Sequence, residues 1–180
     1  MQRFILTGAP GAGKTIILRQ LELDGFAVVE EAATDLIALV TAQGVERHWE
    51  LPTFIDDILA LQQARQRRAD VWPETRVVFD RSPICTWALC RFVGREPPEA
   101  LVDEAARIQR EGVYERRVFF VENLGFVTPT EARRISFEDT VRFEAIHRDV
   151  YREFGFNLIS VPPGEVGART ELVKREMARA

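Results

Sequence analysis

Apolar residues along this chain fall into two alternating textures. Short runs rich in β-branched and aromatic residues, RFILT (Arg3–Thr7), FAVVE (Phe26–Glu30), RVVFD (Arg76–Asp80), RVFFV (Arg117–Val121) and NLISV (Asn157–Val161), are apolar almost throughout. That is the pattern of strands covered on both faces. Between and after them lie longer segments with helical spacing: Lys14–Leu23, Ala32–Gln43, Thr53–Val71, Pro83–Phe92, Pro98–Gln109, Phe137–Phe154 and Val166–Arg179. Thr53 with Asp56, and Ser136 with Asp139, have capping-box spacing with a shorter acid than usual, and Pro83 and Pro98 suit first-turn positions. Alternation of this kind predicts a three-layer α/β/α fold around a parallel sheet. Right-handed crossovers, with a functional loop after the first strand, predict a five-stranded sheet of order 2-3-1-4-5. There is no repeat, low-complexity tract or Gly/Ser-rich linker, so residues 1–180 read as one domain.

Composition narrows the function. A chain of 180 residues, 46% hydrophobic and 29% charged, can bury a core without staples. Its apolar stretches are far too short to span a membrane, and MQRFILTGAP starts a strand and a loop rather than a leader. The net charge of −4 argues against nucleic acid as the main partner. Cys85 and Cys90 lie on one predicted helix with neither zinc nor redox spacing, and read as small core residues of a cytoplasmic protein. Lys14 and Lys174 are the only lysines among 24 basic residues.

Lys14 sits where chemistry demands a lysine. Gly8-Ala9-Pro10-Gly11-Ala12-Gly13-Lys14-Thr15 matches G-x-x-x-x-G-K-[ST] in full, with a strand before it and a helix after it. The glycines let successive N–H groups turn inward as an anion nest, and the helix N-terminus adds its positive dipole end. Lys14 is expected to reach the β- and γ-phosphates and Thr15 to offer its hydroxyl to Mg²⁺. The expected ligand is Mg·ATP, since no N/T-K-x-D guanine-reading motif is present.

In an open α/β sheet ligands bind beyond the carboxyl ends of the strands. Asp80, at the end of VVFD, is a candidate metal-holding acid. Arg81 follows it where many ATPases carry a water-activating glutamate, and a guanidinium cannot serve as a base. Glu30 and Glu31, after the second strand, are either helix-dipole acids or the base that orients an acceptor hydroxyl. The stretch 122–136 is long for its kind and polar, which predicts a lid. Its adjacent Arg133 and Arg134 suit the clamping of a phosphoryl group. His48 and His147 lack a metal-ligand pattern and read as surface or partly buried residues. Asp56 and Asp57 read as helix N-terminal acids, and Trp49, Trp72 and Trp87 as packing residues near the expected acceptor pocket.

The ordered set RFILTGAPGAGKT, GFAVVEEAA, VVFDRSP, RVFFVE, EARR, FEAIHRDVY and GFNLISVPP resembles short bacterial P-loop proteins of the AAA-domain ATPase and predicted-kinase group, related to ribosylnicotinamide-kinase-like enzymes. DRS also resembles the D/E-R-S segment of deoxynucleoside kinases. That likeness implies that Asp80 serves the metal, that Arg81 serves the reaction centre, and that Glu30 or Glu31 is the base. EARR is similar to an arginine-bearing kinase lid, and Val161–Gly164 would correspond to the loop that holds adenine. The doubled acid departs from the E-P-x and R-E-P-G patterns of deoxynucleoside and thymidylate kinases, so the acceptor is not carried over. The expectation is a small-molecule kinase with a nucleoside-like acceptor, as monomer or homodimer. Its rivals are a plain ATPase and a nucleotide-dependent switch with a protein or lipid partner.

Overall fold

The computed structural model describes residues 1–45, 47–125 and 136–179. Five parallel strands, β1 (Gln2–Thr7), β2 (Ala27–Val29), β3 (Arg76–Asp80), β4 (Arg117–Val121) and β5 (Asn157–Val161), form one sheet of order β2-β3-β1-β4-β5, as expected. Seven helices accompany them among the described residues: α1 (Lys14–Leu23), α2 (Ala32–Ala42), α3 (Phe54–Ala69), α4 (Pro83–Val93), α5 (Glu99–Glu111), α6 (Phe137–Glu153) and α7 (Val166–Met177). A short 3₁₀ turn at His48–Glu50 was not foreseen.

The period-2 geometry of a strand sends neighbouring side chains to opposite faces. In β1, Phe4 and Leu6 join Ile17, Leu18, Leu21, Val173 and Met177 under α1 and α7. Ile5 goes the other way, to Ile84, Ala88, Ile108, Val150 and Tyr151 beneath α4, α5 and α6. Both faces are covered, which explains why the inner positions of β1, β3 and β4 are apolar at consecutive steps. A third cluster packs Phe54, Ile58 and Leu59 of α3 against Cys90 and Leu101, with Leu36 and Ile37 of α2 outside them.

The edges behave differently from the centre. β2 keeps only Ala27–Val29 of the expected Phe26–Glu30, and β5 is largely half-exposed, with only Val161 buried. A short edge strand limits unwanted pairing. Two of the helix starts also differ. Thr53 has helical backbone and makes no side-chain cap, so its capping box does not form, and Pro98 is the N-cap residue of α5 rather than part of its first turn. Pro83 does open α4, and the Ser136 hydroxyl accepts the Asp139 N–H at 3.0 Å as expected.

Cys85 and Cys90 are buried and unpaired. Cys85 is more than filler: its Sγ lies 3.1 Å from the Thr7 hydroxyl and 3.0 Å from the Tyr151 hydroxyl, which is 2.8 Å from Ser82 Oγ. This fully buried chain ties α6 to the ends of β1 and β3, and burial together with the neighbouring thiol raises the Tyr151 pKa. Removing one member strands the others in an apolar layer. Tyr151→Phe should therefore cost about 1–3 kcal/mol of unfolding free energy, read from urea denaturation. A change within error would mean that water or rotamer adjustment satisfies Ser82 and Cys85.

Candidate active site

The loop between β1 and α1 has the geometry of an anion nest. Gly8, Gly11 and Gly13 have φ of 132°, 81° and 87°, values that side-chain-bearing residues rarely adopt. At Gly8 the demand is also steric, because a Cβ there would stand 2.2 Å from the Val121 carbonyl oxygen of β4. Helix α1 starts at Gly13 with no side-chain cap and no acid in its first turn. Its opening N–H groups and dipole are thus left for an external anion. Lys14 folds back, Nζ donating to the Ala9 carbonyl at 2.9 Å. Burial, and then the nearby Arg81, push its pKa down to about 8.

Strand β3 delivers Asp80 beside this loop, 4% exposed, with its Oδ2 at 3.5 Å from the Thr15 hydroxyl. Asp80 Oδ1 is buried without a hydrogen-bond partner among the described residues. A bare carboxylate oxygen beside a hydroxyl fits a hard cation, and no group of three or more His, Cys, Asp or Glu among the described residues could hold a metal alone. Thr15 and Asp80 suit Mg²⁺, which takes few protein ligands and completes its shell with phosphate oxygen and water. Burial raises the Asp80 pKa, and Lys14 only partly opposes it.

Arg81 is the only non-glycine among the described residues with positive φ, at 70°. Such a backbone costs about 1–3 kcal/mol and persists where neighbours over-determine it. Three contacts do so here: the Arg81 N–H donates to the Leu6 carbonyl at 3.0 Å, Nε pairs with the Glu31 carboxylate, and Nη1 lies 3.2 Å from His147 Nε2. Burial alone would raise the Glu31 pKa, but Arg81 and Lys14 overrule it and hold the carboxyl well below its usual range. Glu31, the N-cap residue of α2, also accepts from the Thr34 hydroxyl at 2.6 Å. Glu30 is half-exposed and pairs with Arg19 on the outer side. The doubled acid is therefore split between two environments.

His147 corrects the reading of a surface or partly buried residue, since it is completely buried. Its Nδ1 lies 2.9 Å from the Phe143 carbonyl; the carbonyl can only accept, which leaves Nε2 as acceptor for Arg81. His48 is partly exposed, Asp56 and Asp57 lie in the first turn of α3, and Trp72 and Trp87 pack against the core, as expected, whereas Trp49 lies exposed on the short turn before α3 instead of packing. A narrow cleft beside Asp80 and Arg81 is lined by Glu30, Gln62, Arg65 and Phe79. Gln62 accepts from the Thr86 hydroxyl at 3.0 Å, and Arg65 holds the Glu30 carbonyl at 2.8 Å. Arg133 and Arg134, and most of the expected 122–136 lid, lie outside the described residues. At the base of that stretch Glu122 accepts from Ser160 at 2.6 Å and from Arg148 at 3.4 Å. Sequence reading missed His147, Gln62, and Arg169 on α7, a buried arginine against Gly13. The i, i+4 pairing of Phe143 and His147 was the only local signal for the first.

The His147 environment sets a pH dependence. Burial, and then the Arg81 charge, depress its pKa from 6.5 to about 3, with Lys14 adding to this and Glu31 opposing it. The folded protein keeps the ring neutral while the unfolded chain protonates it. Its contribution is thus present above pH 6.5 and is lost as pH falls toward about 3, at up to about 1.4 kcal/mol per pH unit. His147→Gln should flatten this acid limb in pH-dependent denaturation. Parallel profiles for mutant and wild type would show that His147 is not held neutral.

Comparison with known proteins agrees with this fold. A sequence model of the AAA domain family matches residues 3–169. No curated protein sequence matches the chain. Among solved structures, deoxyadenosine kinase from M. mycoides with bound dCTP is similar in fold, with a TM-score of 0.63 at 13% identity, covering 99% of this chain and 100% of that one. The same enzyme with bound dATP gives 0.52 at 13% identity over 98% and 100%. With a complete phosphate loop, the 2-3-1-4-5 sheet and a family match over nearly its whole length, the chain belongs to the P-loop AAA-domain family.

Proposed function

We propose that the protein is a small-molecule kinase that transfers the γ-phosphoryl group of Mg·ATP to a hydroxyl or phosphate of a nucleoside-like acceptor. The observation that carries this reading is Arg81. A buried guanidinium, fixed by Glu31 and His147 in a left-handed backbone, occupies the position after the metal acid. A cation there cannot activate water, but it can neutralise charge on a phosphoryl group or hold an acceptor. The plain ATPase is correspondingly disfavoured.

The residues divide the work. The nest, the α1 N-terminus and Lys14 bind the triphosphate. Thr15 and Asp80 would hold Mg²⁺, which when bound supplies charge neutralisation at the β- and γ-phosphate oxygens. The narrow cleft beside Arg81 brings the Gln62 amide and the Arg65 guanidinium close to Asp80, polar groups that could orient an acceptor. For a hydroxyl acceptor, its oxygen bonds to the γ-phosphorus as the bond to the β,γ-bridging oxygen breaks and ADP leaves. The hydroxyl proton passes to a carboxylate, for which Glu31 is the better placed because it shares the buried cluster with Arg81 and Lys14. Such transfers depend on positioning more than on base strength. Arg133 and Arg134 would close over the phosphoryl group from the lid. Two unpaired buried thiols suit a reducing cytoplasm, and no described helix is long and apolar enough to cross a membrane.

The direct test is ADP release across a pool of nucleosides, nucleotides and related metabolites, followed by mass detection of the product. ATP consumption that rises steeply with one metabolite, and is lost in Lys14→Ala together with triphosphate binding, supports the kinase. Binding with negligible turnover under every acceptor identifies a switch instead.

Asp80→Asn should leave the fold intact and move Mg²⁺ titrations of nucleotide binding to higher metal concentration, because the change keeps size but removes charge. Coincident titrations of mutant and wild type would place the metal acid elsewhere.

A further inference from the structure

Arg169, in the opening turn of α7, is held unlike any other arginine near the site. It is 5% exposed, although every residue from Pro162 to Ala168 is exposed. Its Nη2 donates to the Glu122 carbonyl at the end of β4, at 3.3 Å. Its Nη1 stands 2.9 Å from the point where a side chain on Gly13 would begin. Nε is buried without a partner among the described residues. The acid whose charge it feels, Glu122, gives its carboxylate to Ser160 and Arg148 and offers Arg169 only the carbonyl.

Apart from Glu122, what surrounds this guanidinium opposes a cation. It is desolvated, and burial lowers its pKa. It lies in the first turn of α7, the positive end of that helix, which holds no acid beyond the N-cap residue Glu165. It also lies against the uncapped start of α1, a second positive end without an acid. Buried arginines are ordinarily paired. An anion at the α1 N-terminus would offset all three penalties.

We propose that Arg169 is a resident phosphate-binding residue, a guanidinium built into the corner between β4, Gly13 and α7 that pairs with α- or β-phosphate oxygens of the bound nucleotide. The sheet order supports that end of the triphosphate. Asp80, Glu31 and Arg81 come from the β2–β3 side of the phosphate loop, whereas Arg169 approaches from the β4–β5 side. The γ-phosphate faces the first group, so Arg169 meets the phosphates nearer the base. The inference rests on the nucleotide-binding reading of the loop.

The test is calorimetric titration of ATP, ADP and inorganic triphosphate into wild type, Arg169→Met and Arg169→Lys, each first shown to be folded by circular dichroism. Arg169→Met keeps the apolar stem and loses the charge. It should weaken all three ligands by a similar factor, roughly 10–100-fold, the scale of a desolvated charged hydrogen bond. Arg169→Lys should recover part of the loss. Unchanged affinities would make Arg169 a packing residue and overturn the proposal. So would a loss for ATP with none for inorganic triphosphate, which would mean contact with sugar or base. A loss for ATP with none for ADP would move the contact to the γ-phosphate and equally overturn the assignment. Should the Met variant not fold, the Lys variant decides: a loss of roughly 3–10-fold shared by all three ligands supports the proposal, and wild-type affinity rejects it. A wild-type protein that binds none of them refutes the loop assignment itself, whereas binding by wild type and Met variant alike refutes only the role of Arg169.

Discussion

The constraint on which the site depends is charge balance in a space closed to water. Lys14 and Arg81 face Asp80 and Glu31 at the carboxyl edge of the sheet, and all are largely buried. Their charges cancel, so bringing Lys14 or Arg81 onto a phosphate leaves an acid partly uncompensated. The strain is visible in the pKa directions. Lys14 is depressed and Asp80 raised, while Glu31 and Arg81 hold each other firmly charged. Triphosphate charge therefore needs groups beyond Lys14 and Arg81 as well. The inward N–H groups of the loop and the acid-free start of α1 supply part. On the kinase reading a cation at Asp80, Arg169 and the lid arginines would add to these.

Backbone closeness makes that balance possible. The Gly8–Val121 approach lets β4 lie directly against the phosphate loop, and the left-handed Arg81 turns its side chain off the line of β3. Neither could be relaxed locally. A side chain at Gly8 would push the sheet apart, and an extended Arg81 would give up its N–H bond to Leu6 and its geometry toward Glu31 and His147 together. The Tyr151–Ser82–Cys85 chain lies directly beneath, so α6 fixes both His147 and the floor on which Arg81 stands.

Legibility in the sequence follows the range of the interactions. The phosphate loop, the central strands and the sheet order were readable because strand period, glycine chemistry and crossover handedness act over a few residues. The ends of β2 and the Thr53 cap were not, because edge exposure and the turn at His48–Glu50 decide them. Glu30 and Glu31 are chemically identical neighbours, and only the fold turns one inward to Arg81 and the other outward to Arg19. His147 looks like any helical histidine until α6 is packed against α4, and Arg169 looks like a surface arginine on a short helix. Their significance comes from partners 66 and 47 positions away in the chain.

The same long-range placement gives the strand order a functional meaning. β1 carries the phosphate loop in the middle of the sheet, with β3 and β2 on one side and β4 and β5 on the other. The acids, Arg81 and the Gln62–Phe79 cleft all belong to the β2–β3 side. Arg169, the Glu122 latch and the Val161–Gly164 loop belong to the β4–β5 side. A nucleotide spanning the loop would lie with its base toward one half and its terminal phosphate toward the other. On the kinase reading, the acceptor would approach along the cleft and past Arg81. On that reading water is disfavoured as the nucleophile because Asp80 serves the metal and Glu31 is committed to Arg81 until an acceptor group competes for that guanidinium. Specificity for transfer over hydrolysis would thus arise from the ion pair itself, which opens in favour of a ligand able to replace it.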